Sequence, residues 1–317
     1  MSSAAAVPRP DTSGAGPISN LKLSDGNEIP VLGYGLGTAN FKRGNKAAFN
    51  QQIVDNTVMA IKNGYYHLDG AEAYGNEEEL GAAIQAAGVA RSKLFVTTKT
   101  SCRAGESVET AFARSLDKLG LEYVDLYLIH NPFWADADAA PEVHQRKWAE
   151  VEAIKASGRA RSIGVSNYLV SHLEAILAAA PRHPPVVNQV EYHPYLQHDV
   201  DGDAGLLDYC RRHGIAVEAY APLAAITRAA PGPCDAVYDR LARKYGVPAS
   251  DVALRWCIDQ GIVALTTSSS AERLQGVLAR LPTFTLAPDE IREIADAGRL
   301  KHYRGFWTAK FAADDRR

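Results

Sequence analysis

The sequence has no uninterrupted apolar run approaching the roughly 18 residues of a membrane-spanning helix, so nothing in it reads as a span. It also has no excess of positive charge. Its 34 Lys and Arg face 37 Asp and Glu, a formal net charge of −3, which leaves no basic surplus to neutralise a nucleic-acid backbone. Cysteine is scarce. Cys102, Cys210, Cys234 and Cys257 are far apart and form no Cys-x-x-Cys pair, so neither a zinc site nor a dithiol motif is expected. Scattered thiols in a long chain fit a reduced, cytoplasmic protein better than a disulfide framework. Residues 1–20 lack the basic and then apolar blocks of a secretory signal, and they read as a flexible tail rich in Ser, Ala, Pro and Gly.

What is present is a globular composition. With 46% hydrophobic and 22% charged residues in 317, the chain can bury a core without disulfides or a structural metal. No linker-like stretch interrupts residues 21–300, which read as one domain, with residues 301–317 as a C-terminal segment near the pocket.

Two short strand-like runs flank Asp25-Gly26, a hairpin signal. Eight β-rich runs then alternate with helical stretches: Val31–Gly35, Tyr65–Asp69, Leu94–Lys99, Val124–His130, Ala160–Ser166, Val186–Glu191, Ile215–Tyr220 and Ile262–Thr267. Helix-like segments such as Glu77–Ala87 and Val108–Leu119 lie between them, and several stop at glycine. Near-continuous apolar strands alternating with helices predict a parallel sheet covered by helices, and eight units predict a closed (β/α)8 barrel, an α/β fold. The competing dinucleotide-binding reading of Gly33-Tyr-Gly35-Leu-Gly37 fails, because the third Gly is out of register and no helix begins there.

In such a barrel all strand C-termini share one mouth. There the second run ends in Asp69, the third in Lys99 and the fourth in His130, while Tyr74 follows five residues after Asp69. Taken singly, each has an ordinary structural reading. Four such groups on consecutive strands at one end suggest a device for protonating a carbonyl oxygen. A phenol titrates near 10, and a neighbouring Lys99 cation is expected to lower Tyr74 from that value. Asp69 would hold Lys99 as its buried counter-ion. Glu77-Glu78-Glu79 reads as a solvated helix N-terminus. Glu72 and Glu191 could form a glycosidase pair, but that reading leaves Lys99 and Tyr74 unused.

At these residues the chain resembles the aldo-keto reductases. Gly64-Tyr-Tyr-His-Leu-Asp-Gly-Ala-Glu-Ala-Tyr-Gly-Asn-Glu77, Leu128-Ile-His-Asn-Pro132, Gly158-Arg-Ala-Arg-Ser-Ile-Gly-Val-Ser-Asn167 and Asn188-Gln-Val-Glu-Tyr-His-Pro194 are similar to that family's signatures, in order. Thr266-Thr-Ser-Ser269, His193-Pro-Tyr-Leu-Gln197 and Tyr303-Arg-Gly-Phe-Trp307 resemble the fungal and yeast branch that reduces conjugated polyketones, ketopantoyl lactone and α-keto amides.

The resemblance implies a catalytic tetrad of Asp69, Tyr74, Lys99 and His130, with Tyr74 the proton donor, Lys99 its modifier and His130 orienting the carbonyl. It implies NADPH as cofactor, with NADH a weaker alternative. Ser166, Asn167 and Gln189 would bind the carboxamide, and Tyr220 would stack on the nicotinamide. Thr38 would lie by the ribose and Asp69 by the cofactor, while Ser268 and Arg273 would grip the 2′-phosphate, a task suited to Arg. Thr267 stands where the family commonly has Lys, and Gly276-Val277 where it has a Glu-Asn pair for adenine. Asn131 replaces the family's usual Trp. Phe41, Asn131, Phe133, Trp134, Tyr303 and Trp307 are the expected pocket walls. The implied activity is reduction of a small activated carbonyl (dicarbonyl, keto lactone or keto ester) by a monomer or weak dimer, with no metal, membrane or nucleic-acid partner. A sugar reductase and a slow-turnover NADPH-binding regulatory subunit are the rival readings.

Overall fold

Segments dense in Val, Ile, Leu and aromatic residues, short and bounded by turns, form strands here as expected for buried parallel pairing. The computed structural model describes residues 18–43, 48–103, 105–133, 140–199 and 205–317. The expected N-terminal tail thus lies outside the described residues, except for its last three positions.

The strands are β1 (Asn20–Lys22), β2 (Glu28–Pro30), β3 (Leu32–Gly35), β4 (His67–Asp69), β5 (Phe95–Thr100), β6 (Val124–Ile129), β7 (Ala160–Ser166), β8 (Val187–Glu191), β9 (Ala216–Tyr220) and β10 (Val263–Thr266). β1 and β2 pair antiparallel, while β3 to β10 run parallel and close, β10 pairing with both β3 and β9. The helices are α1 (Gln51–Lys62), α2 (Glu77–Ala87), α3 (Val108–Leu119), α4 (Pro141–Ala156), α5 (Val170–Ala178), α6 (Leu206–Arg212), α7 (Ala224–Thr227), α8 (Cys234–Tyr245), α9 (Ala249–Ile258), α10 (Ala271–Arg280) and α11 (Pro288–Arg299). Each barrel strand is followed by at least one helix, so the fold is an eightfold α/β barrel.

The hairpin closes the barrel at the end opposite the mouth. Leu21, Leu23 and Ile29 pack with Phe95, Leu126, Leu128, Val187, Ala216 and Val263 from the strand interiors. Its turn is tied down by Asp25, whose carboxylate accepts from Lys155 Nζ at 2.8 Å and Ser162 Oγ at 2.9 Å. Among the described residues no helix is long and apolar enough to cross a membrane.

The acidic start of α2 departs from the expected solvated terminus. Only Glu78 is exposed. Glu77 is buried and accepts from Thr98 Oγ1 at 2.7 Å; Glu79 is buried and accepts from Lys42 Nζ at 2.7 Å and Asn50 N at 2.9 Å. The first turn of α2 packs directly on β5 and on the long loop after β3. Glu77 and Glu79 are therefore internal hydrogen-bond acceptors, although the second oxygen of Glu79 has no partner among the described residues.

Candidate active site

The alternation of a strand aims every second side chain into the barrel, and β4, β5, β8 and β9 each deliver a polar one near the mouth. Lys99, fully buried, donates from Nζ to Asp69 Oδ1 at 2.6 Å, to Gly70 O at 2.9 Å and to Tyr74 Oη at 3.2 Å. Tyr74 sits in a single 3-10 turn, Glu72–Tyr74, just above β4. Gly37 makes room for it, since a Cβ there would lie 2.6 Å from Tyr74 Cζ. His130 follows β6 and meets the Tyr74 ring edge to face, centroids 5.4 Å apart. All four expected catalytic residues thus converge.

The electrostatics differ in one respect from expectation. Burial is the largest influence on the Tyr74 phenol and outweighs the Lys99 cation, which acts to lower it. The result is a phenol pushed up to about 12. The expected net lowering does not occur in the free protein, so Tyr74 carries its proton at neutral pH. Burial pulls Lys99 down most, but Asp69, Tyr74 and Glu218 together leave its ammonium raised. Burial and then the Lys99 charge hold His130 down at about 3, so its imidazole is neutral. A neutral ring can share a hydrogen bond with a carbonyl oxygen without competing as the acid.

On the other side of the mouth, Asn167 has φ +62°, a left-handed conformation that Asn tolerates better than most residues. Its Nδ2 donates to His130 O and Ser166 Oγ, both at 2.9 Å, and its Oδ1 accepts from Tyr220 Oη at 2.6 Å. Ser166 and Gln189 are buried beside it, and Gln189 Nε2 donates to Asp69 Oδ1 at 2.9 Å and Glu218 Oε2 at 2.8 Å. Tyr220 meets Phe306 edge to face. After β10, Ser268 Oγ accepts from Arg273 Nε at 3.1 Å and from Ser270 N at 3.0 Å, and Ser270 caps α10 by accepting from Arg273 N at 3.2 Å. Arg273 is exposed and forms no ion pair among the described residues. A hydroxyl, a guanidinium without an ion pair among the described residues and a helix N-terminus in one place suit a phosphate. Gly276 leaves no side chain for an adenine, and the Arg280 guanidinium lies where its Cβ would stand.

Thr38 is exposed on the loop after β3. Phe41 stacks obliquely on Tyr74 at 5.9 Å, and Trp307 reaches His130 at 6.4 Å and Phe133 at 5.2 Å. Asn131 is half-buried and caps Phe133 N through Oδ1 at 2.9 Å. Tyr303 instead packs on His193, centroids 5.8 Å apart. Trp134 lies outside the described residues. The glycosidase pair is disposed of by its partners. Glu72 is held by Arg103 and Arg114, and Glu191 accepts from Gly305 N and Phe306 N at 2.8 and 3.1 Å, anchoring the C-terminal segment. Two residues had no assigned role in the sequence, His67 and Glu218. Both are ionisable groups set before the strand ends, His67 opening β4 and Glu218 at the centre of β9, and that misfit was the available signal.

The chain matches the model of the aldo/keto reductase family over residues 34–299. It is 38% identical over 281 residues to the NAD/NADP-dependent indole-3-acetaldehyde reductase of Schizosaccharomyces pombe, covering 89% of this chain and 96% of that protein. It is 33% identical over 300 residues to the NADPH-dependent alpha-keto amide reductase of Saccharomyces cerevisiae, covering 90% and 93%. A crystal structure of an aldo/keto reductase from Brucella melitensis superposes with a TM-score of 0.75 at 34% identity, covering 88% of this chain and 99% of that one. Similarity of this extent, along nearly the whole of a barrel whose mouth gathers the expected groups, makes the chain a member of the aldo/keto reductase family, an oxidoreductase.

Proposed function

We propose that the chain is an NADPH-dependent carbonyl reductase in which Tyr74 is the acid, acting on small activated carbonyls such as dicarbonyls, keto lactones and keto esters. The observation that carries this reading is the buried Asp69–Lys99 pair at 2.6 Å with the Tyr74 hydroxyl 3.2 Å from the same ammonium.

The donor set fits a dinucleotide at both ends. Ser268 Oγ, Arg273 and the start of α10 would hold its 2′-phosphate; Ser166, Asn167 and Gln189 would hold its carboxamide, with the Tyr220 ring against the base and Thr38 near the ribose. When bound, the reduced nicotinamide supplies a hydride to the carbonyl carbon. The remaining chemistry belongs to the side chains. His130, neutral, hydrogen-bonds the substrate oxygen and holds it beside Tyr74. Tyr74 passes its hydroxyl proton to that oxygen as negative charge develops there. Lys99 stabilises the phenolate left behind, and Asp69 keeps Lys99 charged and aimed. The rings of Phe41, beside Tyr74, and of Phe133 and Trp307, packed on each other, would line the approach to the carbonyl. The names of the two yeast relatives, an indole-3-acetaldehyde reductase and an alpha-keto amide reductase, support a carbonyl substrate, and the second supports one activated by a neighbouring carbonyl group.

The test is a panel of dicarbonyls, keto lactones, keto esters, aldoses and simple aldehydes, following loss of reduced-nicotinamide absorbance with NADPH and with NADH. Highest kcat/KM with an activated carbonyl and NADPH is expected. Turnover confined to aldoses, or none with any carbonyl, would overturn the reading.

A further inference from the structure

Beneath the reacting groups a polar chain continues into the barrel, where the family signatures assign no chemistry. From Tyr74 it runs through Lys99 Nζ to Asp69, then through Gln189 Nε2 to Glu218 Oε2 at 2.8 Å, and from Glu218 Oε1 to His67 Nε2 at 3.2 Å. Glu218 and His67 are wholly buried. The chain's end fixes its protons. His67 Nδ1 lies 3.1 Å from Pro30 O, and a carbonyl only accepts, so Nδ1 carries a hydrogen. The two hydrogens of Gln189 Nε2 point at Asp69 and Glu218. Glu218 Oε1 is buried without a hydrogen-bond partner among the described residues and stands 3.2 Å from His67 Nε2, which shares a hydrogen bond with Thr97 Oγ1 at 3.4 Å; the Glu218–His67 contact becomes bonding only if one further proton lies in it.

We propose that Glu218, with His67 as its proton partner, is a positioning residue for the reacting phenol: the pair stores one proton below Asp69 and so keeps the carboxylate–ammonium–phenol chain in the charge state from which Tyr74 releases its proton. The proposal rests on Tyr74 being the acid. The proton resides on the carboxyl, since burial, then Asp69, pushes Glu218 up to about 8 and burial pulls His67 down to about 4. Loss of that proton to solvent places a second negative charge near Lys99, which raises both the ammonium and the phenol and makes Tyr74 a weaker acid. The groups facing Glu218 are His67 and Asp69 from β4, Lys99 from β5 and the neutral Gln189 from β8. Its other paired neighbour, β10, sets apolar Val263 opposite it.

Glu218→Gln mimics the protonated acid: the amide nitrogen can donate to His67 Nε2 while the oxygen accepts from Gln189. In the wild type kcat for carbonyl reduction should fall at least about threefold between about pH 7 and about pH 9.5, and in E218Q the ratio should be near one, with KM for the carbonyl within about twofold. The infrared band of a protonated carboxyl should be present in the wild type at neutral pH, vanish on alkaline titration and be missing in E218Q. An E218Q profile that keeps the wild-type alkaline limb, or a wild type without the carboxyl band, would overturn the proposal. If E218Q does not fold, His67→Asn keeps a donor for Pro30 O but removes the acceptor; the alkaline limb should then move to lower pH, and an unmoved limb counts against the pair. A wild type that is active while Tyr74→Phe is inactive separates these outcomes from the reaction itself, and a wild type reducing no carbonyl would overturn both.

Discussion

Position 74 sets two influences against each other, and their balance decides what the side chain can do. Burial raises the phenol more than the Lys99 cation lowers it. In the proposed reaction the consequence is an acid that stays loaded at neutral pH and a cation that would act mainly on the phenolate formed during transfer. Proximity of the two residues was legible from their places at adjacent strand ends, but the sign of the net shift was not, because desolvation depends on packing that no motif encodes. The same holds at Glu77 and Glu79, which look like surface residues in a run of three acids and become buried acceptors through tertiary contacts. Arg273 offers a test at this scale. With its side chain held by Ser268 and without an ion pair among the described residues, Arg273→Ala should raise KM for NADPH by about tenfold, a loss of roughly 1.4 kcal/mol, while KM for NADH changes little. Equal effects on both cofactors would remove Arg273 from the phosphate role.

Among the elements, all eight barrel strands and the N-terminal hairpin could be read from apolar runs and turn residues, with ends shifted by a residue or two. α7, Ala224–Thr227, could not, because four residues are too few for a helical period. In the loop between β3 and α1 the reading singled out Thr38, Phe41 and the glycines, and the use of Gly37 lies in its packing. Gly37 lies flat against the Tyr74 ring, and the 3-10 turn that carries the ring is braced by Lys42 N donating to Tyr74 O at 3.1 Å. Gly37→Ala should therefore displace the ring, lowering kcat by about ten- to a hundredfold, with a melting temperature close to wild type since the change is at the mouth rather than in the core. Steady-state kinetics beside a thermal melt measure this; an unchanged kcat would mean the ring's position is not what the loop controls.

For the whole molecule, buried histidines set the response to acid. His198 Nε2 lies 2.7 Å from Glu191 O, and burial holds it down at about 4 against an ordinary 6.5. The unfolded chain takes up that proton first, so this stability is present above about pH 6.5 and is lost as pH falls toward 4, about 3 kcal/mol in all. His130 acts in the same direction. His67 and Glu218 cancel across most of that window, because the pair holds one proton when folded and one when unfolded, with His67 charged and Glu218 ionised. A denaturant midpoint lower at about pH 5 than at about pH 7 is expected, and an equal midpoint would contradict the assignment of His198 as buried and neutral. The barrel's larger role is convergence: residues from distant parts of the sequence reach one mouth, and their joint effect is concentrated in a single hydroxyl. Tyr74→Phe removes that oxygen and keeps the ring, and the residues proposed to hold the dinucleotide are untouched. It should lower kcat for carbonyl reduction by at least about a thousandfold while the Kd for NADPH, read by fluorescence titration, stays within about threefold. A variant that turns over at close to the wild-type rate would show that the proton comes from elsewhere.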